Sequence, residues 1–283
     1  MIYLLASVFL VALNNVLWAK YAPQVNQLYL IRNRAVATVF LIGFITLGVW
    51  LFSSTIKIHT IPVLELSGVG IVGFSGLYFL VLGFRKGTLS QFLVYNLLFA
   101  LGIGLISQFT KSLDLSNKMP AISIIVIGFL MFIYFQFYNE AKMKSAISHL
   151  YFCVAHICFG VLLFLQAYYL ESLPQVVIAF SQEIVVLLLA SAIIFIAPKR
   201  QDNENTLSKL QYFFFAIPIS MALLFGLEGL YKTQPFHSAL INLLTPIVTV
   251  GIGYFFKVEH FKWKPLIGVG VMLFGLGIFY FGS

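Results

Sequence analysis

The side chains able to do chemistry in this chain are few, and they stand where polarity is unfavourable. Glu183 falls near the middle of the apolar run Pro174–Ala197. In hydrocarbon a charged carboxylate at that depth costs roughly 2.5–3.5 kcal/mol, so it persists by facing a cavity, pairing with a cation or taking up a proton. Two roles follow for Glu183: a proton carrier, or one half of a structural ion pair with Arg32 as candidate partner. Both hold if the pair opens and closes. Glu228 is a further coupling candidate, but Lys232 lies at i+4 and offers it an ordinary interfacial pair.

Amides supply the second kind of chemistry. Pro246 has no N–H, so the carbonyl of Asn242 loses its helical donor and must find a side chain, a water or a ligand. Pro246 is thus a candidate hinge and Asn242 a candidate binding residue, unless Thr245 or Thr249 satisfies the kink internally. Pro218 frees Phe214 in the same way, with less polarity around it. Asn14 and Trp18 share a helical face with Asn15 one step around, and Asn96 and Gln166 lie within other apolar runs. With the rings of Tyr78 and Tyr95 as walls, these residues could surround a cavity for a small amphipathic solute. Trp18 has a competing reading as an interfacial anchor, since Lys20 follows it. His156 could relay protons or simply hydrogen-bond within the packing.

No cofactor or metal site is expected. Cys153 and Cys158 flank His156, but the spacing fits no usual zinc pattern. Gly68-Val69-Gly70-Ile71-Val72-Gly73 spells a nucleotide fingerprint without the strand, turn and helix that give it meaning. Those glycines, with Gly76 and the pairs Gly102/Gly104, Gly251/Gly253 and Gly275/Gly277, are expected to let helices approach closely. An intramembrane enzyme would need a nucleophile–base pair or metal ligands, and no such constellation is apparent.

What positions these groups is a set of apolar runs. Hydrophobic residues make up 61% of the 283 and charged residues 9%, with a mean hydropathy of +0.99. The runs are Ile2–Trp18, Leu28–Phe52, Ile61–Phe84, Leu89–Thr110, Pro120–Tyr138, Ile147–Leu170, Pro174–Ala197, Leu210–Leu230, Pro235–Phe256 and Pro265–Phe281. About 20 apolar residues cross a bilayer as a helix, which gives an all-α membrane protein of ten spans. Prolines at 62, 120, 174, 235 and 265 mark starts, where a missing N–H does no harm. The first run reads as a retained span, because no Lys or Arg precedes it and 14–20 makes a poor cleavage region. The net charge of +8 flanks the spans, so no nucleic-acid partner is implied.

The Lys and Arg residues cluster in loops after odd-numbered spans, from Lys20, Arg85 and Lys86 to Lys257, Lys262 and Lys264. Loops after even-numbered spans hold only Lys57, Lys111, Lys118 and Lys232. The odd loops are therefore expected in the cytoplasm and both termini outside. The very short loops suit a prokaryotic plasma membrane.

The chain also repeats. Sliding it so that Gly83 meets Gly229 brings Lys86 onto Lys232 and Asn96-Leu97-Leu98 onto Asn242-Leu243-Leu244. A nearby register lays Pro23-Gln24-Val25 on Pro174-Gln175-Val176, Arg32 on Glu183 and Asn15 on Gln166. Residues 1–138 and 147–283 thus form two five-span halves, and an odd number of spans inverts the second. Inverted repeats enclosing a midplane site are a plan of secondary transporters.

The residues also resemble a family. Asn14–Lys20 followed by Arg32 looks like the opening of the EamA domain of the drug/metabolite transporter superfamily. Leu244-Thr245-Pro246, Glu259 and Gly268 resemble motifs of its closing helices. The chain departs in lacking a Trp-Gly pair in its first span and in having Phe99-Ala100 where many members keep a proline. Whether Arg32 or Arg34 matches the family arginine is open, and the internal repeat favours Arg32. The resemblance implies ATP-independent movement of a small metabolite, commonly an amino acid or related compound. The expected partners are that solute and membrane lipids, with the chain a monomer or homodimer. A flippase for a lipid or lipid-linked sugar is the alternative.

Overall fold

The computed structural model describes residues 2–52, 63–89, 91–96, 99, 116–137, 146–196, 207–233, 235–258 and 263–281. Their regular structure is helical, with no strand among them. The helices are α1 (Ile2–Tyr21), α2 (Gln27–Phe52), α3 (Val63–Lys86), α4 (helical at 89, 91–96 and 99), α5 (Met119–Phe137), α6 (Ala146–Tyr169) and α7 (Gln175–Ile196). Then come α8 (Lys209–Lys232), α9 (Pro235–Asn242), α10 (Thr245–Phe255) and α11 (Pro265–Phe281). Among the described residues, α1, α2, α3, α6, α7 and α8 are long and apolar enough to cross a membrane, while α5, α9–α10 and α11 give shorter apolar helices. The rest of the fourth run, with Gly102, Gly104 and Glu259, lies outside the described residues.

Local rules account for the helix ends. Pro235 and Pro265 open α9 and α11, and Pro120 is the second residue of α5. Ser208 caps α8, accepting from the Gln211 N–H while the Gln211 side chain accepts from the Ser208 N–H. The expectation of one continuous ninth span needs correction. The chain breaks at Leu243–Leu244, where the Leu243 and Leu244 N–H groups donate three residues back, to Leu240 and Ile241. Pro246 starts the next helix rather than kinking one. Pro218, by contrast, sits inside an unbroken α8.

The surface is as apolar as the core. Phe44 is 73% exposed, Phe255 80% and Phe195 91%, the reverse of a soluble bundle and what a lipid-facing surface requires. The buried interior gathers Trp18, Ile31, Leu80, Phe92, Phe152 and Phe215 around the crossing of α1, α2, α3, α6 and α8.

The packing partners obey an exchange rule. α3 packs on α6 as α8 packs on α1, and α3 packs on α7 as α8 packs on α2. α2 pairs with α7, and α5 with α11. Exchanging the first five helices for the last six leaves this pattern unchanged.

The α5–α11 contact is backbone against backbone. A Cβ on Gly128 would stand 2.6 Å from the Met272 nitrogen and 2.7 Å from the Gly268 oxygen. The other glycines divide. Gly70, Gly76 and Gly275 face close neighbours, whereas Gly68, Gly251 and Gly277 face open space, so close approach explains only part of the expected set. Gly128→Ala should therefore destabilise the fold by about 1–3 kcal/mol through overpacking. Gly277→Ala, with nothing within 4 Å, should be silent or slightly stabilising. Thermal unfolding of the two variants in detergent checks this.

Candidate functional site

The polar residues scattered through the apolar runs meet at one place. Arg34 on α2 and Glu183 on α7 are 0% and 1% exposed, and Arg34 Nη1 donates to Glu183 Oε2 at 2.7 Å. Thr38, one turn along α2, holds the same guanidinium nitrogen at 3.5 Å. Beside the pair, Gln166 on α6 donates from Nε2 to Gln182 Oε1 at 2.8 Å. Trp18 on α1 stands with its ring 6.0 Å from the Arg34 guanidinium and edge-on to Phe215, centroids 4.5 Å apart.

These side chains open onto a cavity of about 250 Å³. Its polar wall comes from both halves: Asn14, Asn15, Trp18, Arg34 and Asn96 from the first, His156, Gln166, Gln182, Glu183, Asn242 and Thr245 from the second. Leucines of α3, α6 and α8 line the remainder. Several polar atoms of the wall have no hydrogen-bond partner among the described residues: Asn14 Oδ1, Asn15 Nδ2, Trp18 Nε1, Arg34 Nε and Nη2, His156 Nε2 and Thr245 Oγ1. Leaving one such group unmade costs about 1–3 kcal/mol, so a cluster of them calls for partners from water or a ligand in the cavity. His156 Nδ1 lies 2.6 Å from the Phe152 carbonyl, which fixes the ring hydrogen there and leaves Nε2 as an acceptor.

This arrangement, a polar chamber inside a lipid-facing bundle, can be set beside known proteins. Residues 146–281 match the EamA-like transporter family. Residues 146–281 thus carry an EamA-like domain, the domain type of the drug/metabolite transporter superfamily. The fold likeness extends further: a protein of known crystal structure superposes with a TM-score of 0.71 at 13% identity, over 98% of this chain and 96% of that one. No curated protein matches the sequence.

The cavity takes in some of the residues singled out from sequence and leaves out others. Asn14, Asn15, Trp18, Asn96, Gln166, Asn242 and Glu183 line it. Trp18 is wholly buried, so the anchor reading is set aside. The cation on Glu183 is Arg34, not Arg32. Two residues along a helix turn by about 200°, so the two arginines point to opposite sides of α2; Arg32 bonds to Asn33 Oδ1 and lies over the Tyr29 ring at 5.0 Å. Tyr78 stands outside the cavity against Phe74 and Phe79, and Tyr95 outside it with its hydroxyl 3.0 Å from His149 Nδ1. Glu228 is at the protein's end, paired with Lys232 at 2.6 Å and accepting from Gln175 Nε2 at 2.9 Å. Pro246 is buried beside the cavity residue Thr245, in the first turn of α10. Among the described residues no three His, Cys, Asp or Glu stand close enough to hold a metal.

Sequence reasoning missed Arg34 and Gln182 as wall residues. One signal was available, since Arg34 and Thr38 share a face of α2 at i,i+4. The pair gives a stability prediction. Arg34→Met, which strands a buried carboxylate, should cost about 3–5 kcal/mol. Arg32→Met, which removes a partly exposed cation–π contact, should cost about 1 kcal/mol or less. Unfolding temperatures in detergent should rank the two variants in that order, and a reversed order would unseat the pairing.

Proposed function

We propose that this protein is a secondary active transporter that moves a small metabolite, an amino acid or similar amphipathic solute, by alternating access. Two five-span repeats, residues 1–138 and 147–283, cross the membrane in opposite senses and rock about the chamber between them. The observation that carries this reading is the chamber itself, walled from both halves and edged with unpartnered polar atoms. The family match and the exchange rule in the helix packing lend support. Both termini lie outside, and the membrane is a prokaryotic plasma membrane.

Glu183 is the coupling residue. Protonating it removes the charge that holds Arg34 Nη1, so proton uptake and the loosening of the α2–α7 link are one event. Arg32 and Glu228 have no part in this step, since neither reaches the chamber. The amides of Asn14, Asn15, Asn96, Gln166 and Asn242 read the solute's polar groups, the leucines hold its apolar part, and Pro246 marks the break about which α9 and α10 move.

Purified protein in proteoliposomes should accumulate a labelled amino acid when a pH gradient is imposed. Glu183→Gln should abolish the gradient's effect while counterflow persists, because the neutral side chain keeps the shape but carries no proton. Undiminished pH-driven uptake by that variant would remove Glu183 from the coupling role.

A further inference from the structure

Resting on that transport reading, we propose that the free edge of the Arg34 guanidinium is the seat of a carboxylate on the transported solute. The guanidinium is engaged at one end only: Nη1 takes Glu183 Oε2 and Thr38 Oγ1. Nε and Nη2 have no acceptor among the described residues. Those two nitrogens make up one edge of the planar group, and their N–H bonds run parallel. The spacing matches the two oxygens of a carboxylate, which is the bidentate fork that arginine provides and lysine does not.

The neighbours ask for the same chemistry. Trp18 Nε1 also lines the cavity without an acceptor, and an indole nitrogen, like a guanidinium, can only donate. Asn15 Nδ2 is a further unpartnered donor on α1. These donors are satisfied by an acceptor-rich anion, while the unpartnered acceptors Asn14 Oδ1 and His156 Nε2 are left for a donor elsewhere on the solute.

The charge sets the number. Arg34 is the one Lys or Arg among the described lining residues, and Glu183 already offsets it. With Glu183 ionised the pair is neutral, and with a proton on Glu183 it carries one positive charge, which a single negative charge balances. A carboxylate fits that balance, whereas a phosphate dianion exceeds it. Leu77, Leu80, Leu162, Leu163, Leu223 and Leu227 make much of the remaining lining apolar, so the solute is a monocarboxylate with an apolar body.

The test uses full-length protein in detergent and acids paired with shape-matched amides: phenylacetate against phenylacetamide, and leucine against leucinamide. Isothermal titration should show each acid bound about tenfold tighter than its amide, the usual effect of a charge-assisted bidentate contact. Arg34→Lys should lose that preference although its charge is kept, and Glu183→Gln should strengthen acid binding. Because Arg34→Met alone strands Glu183 and can fail to fold, the neutral double variant Arg34→Met/Glu183→Gln serves as the control, and it should bind acid and amide alike. Equal binding of acid and amide by the wild type, a preference surviving in the double variant, or no acid binding at millimolar concentration overturns the seat. Binding in detergent needs no flux, so the two readings separate. Acid preference without uptake in proteoliposomes sinks transport and keeps the seat, while uptake of neutral solutes without acid preference does the reverse.

Discussion

A guanidinium and a carboxylate buried side by side hold each other in place, and much of this structure follows from that pairing. Either ion alone in the low-dielectric interior would cost several kcal/mol. Arg34 and Glu183 therefore fix the rotation and relative depth of α2 and α7. Apolar packing could not do so by itself, because both helices are apolar nearly all round and expose large side chains to lipid. Once these two are set, α3 and α8 follow, since each packs across one of them, and the chamber is the space left where the four meet α1 and α6. The link is made through one guanidinium nitrogen, so the pair holds the helices while leaving the rest of the cation unspent.

The ends of the helices are tied by a second device, used twice. Lys232 at the close of α8 lies 4.5 Å over the Tyr3 ring near the start of α1, and Lys86 at the close of α3 lies 5.7 Å over Tyr151 near the start of α6. Gln175 opens α7 and donates to Glu228, while Gln27 opens α2 and accepts from Arg85. The two clusters correspond under the same exchange of halves that governs the packing. Glu228 belongs to one of these ties, which explains why a carboxylate so near the chamber in sequence is absent from its wall. Exposed contacts of this kind are individually weak, about 1 kcal/mol or less.

How much of this could be read from the chain depended on whether the signal was one of amount or of direction. Apolar run length and proline position located the helices, because hydrocarbon thickness and the missing N–H act on every span alike. Membrane-depth polar residues located the chamber, because amides such as Asn14, Gln166 and Asn242 stand in such runs only where something faces them. Direction was harder. Arg32 and Arg34 differ by a rotation, and an all-apolar helix carries no stripe to say which face turns inward. The repeat pointed to Arg32 because equivalent places in two halves were taken for touching places. Tyr78 and Tyr95 failed for a related reason: aromatic rings suit lipid, core and cavity equally well, so their presence in a span says little about where they point.

The two prolines inside spans show why the break in the ninth carries chemistry. Pro218 removes a donor from α8, yet the helix runs on, with Ser220 Oγ bonded to the Ala216 carbonyl at 2.8 Å and Ser7 on α1 donating to the Ala222 carbonyl at 3.0 Å. The neighbouring helix shares the load. Pro246 instead sits where α9 has already tightened and ended, in the first turn of α10, the position at which proline is favoured. That start is bare: Leu244 offers no side-chain cap, and Thr245 Oγ1 has no partner among the described residues. The beginning of a helix is its positive end, and Thr245 places this one on the wall of the chamber. Arg34 and the opening turn of α10 thus border the same chamber from opposite halves of the chain.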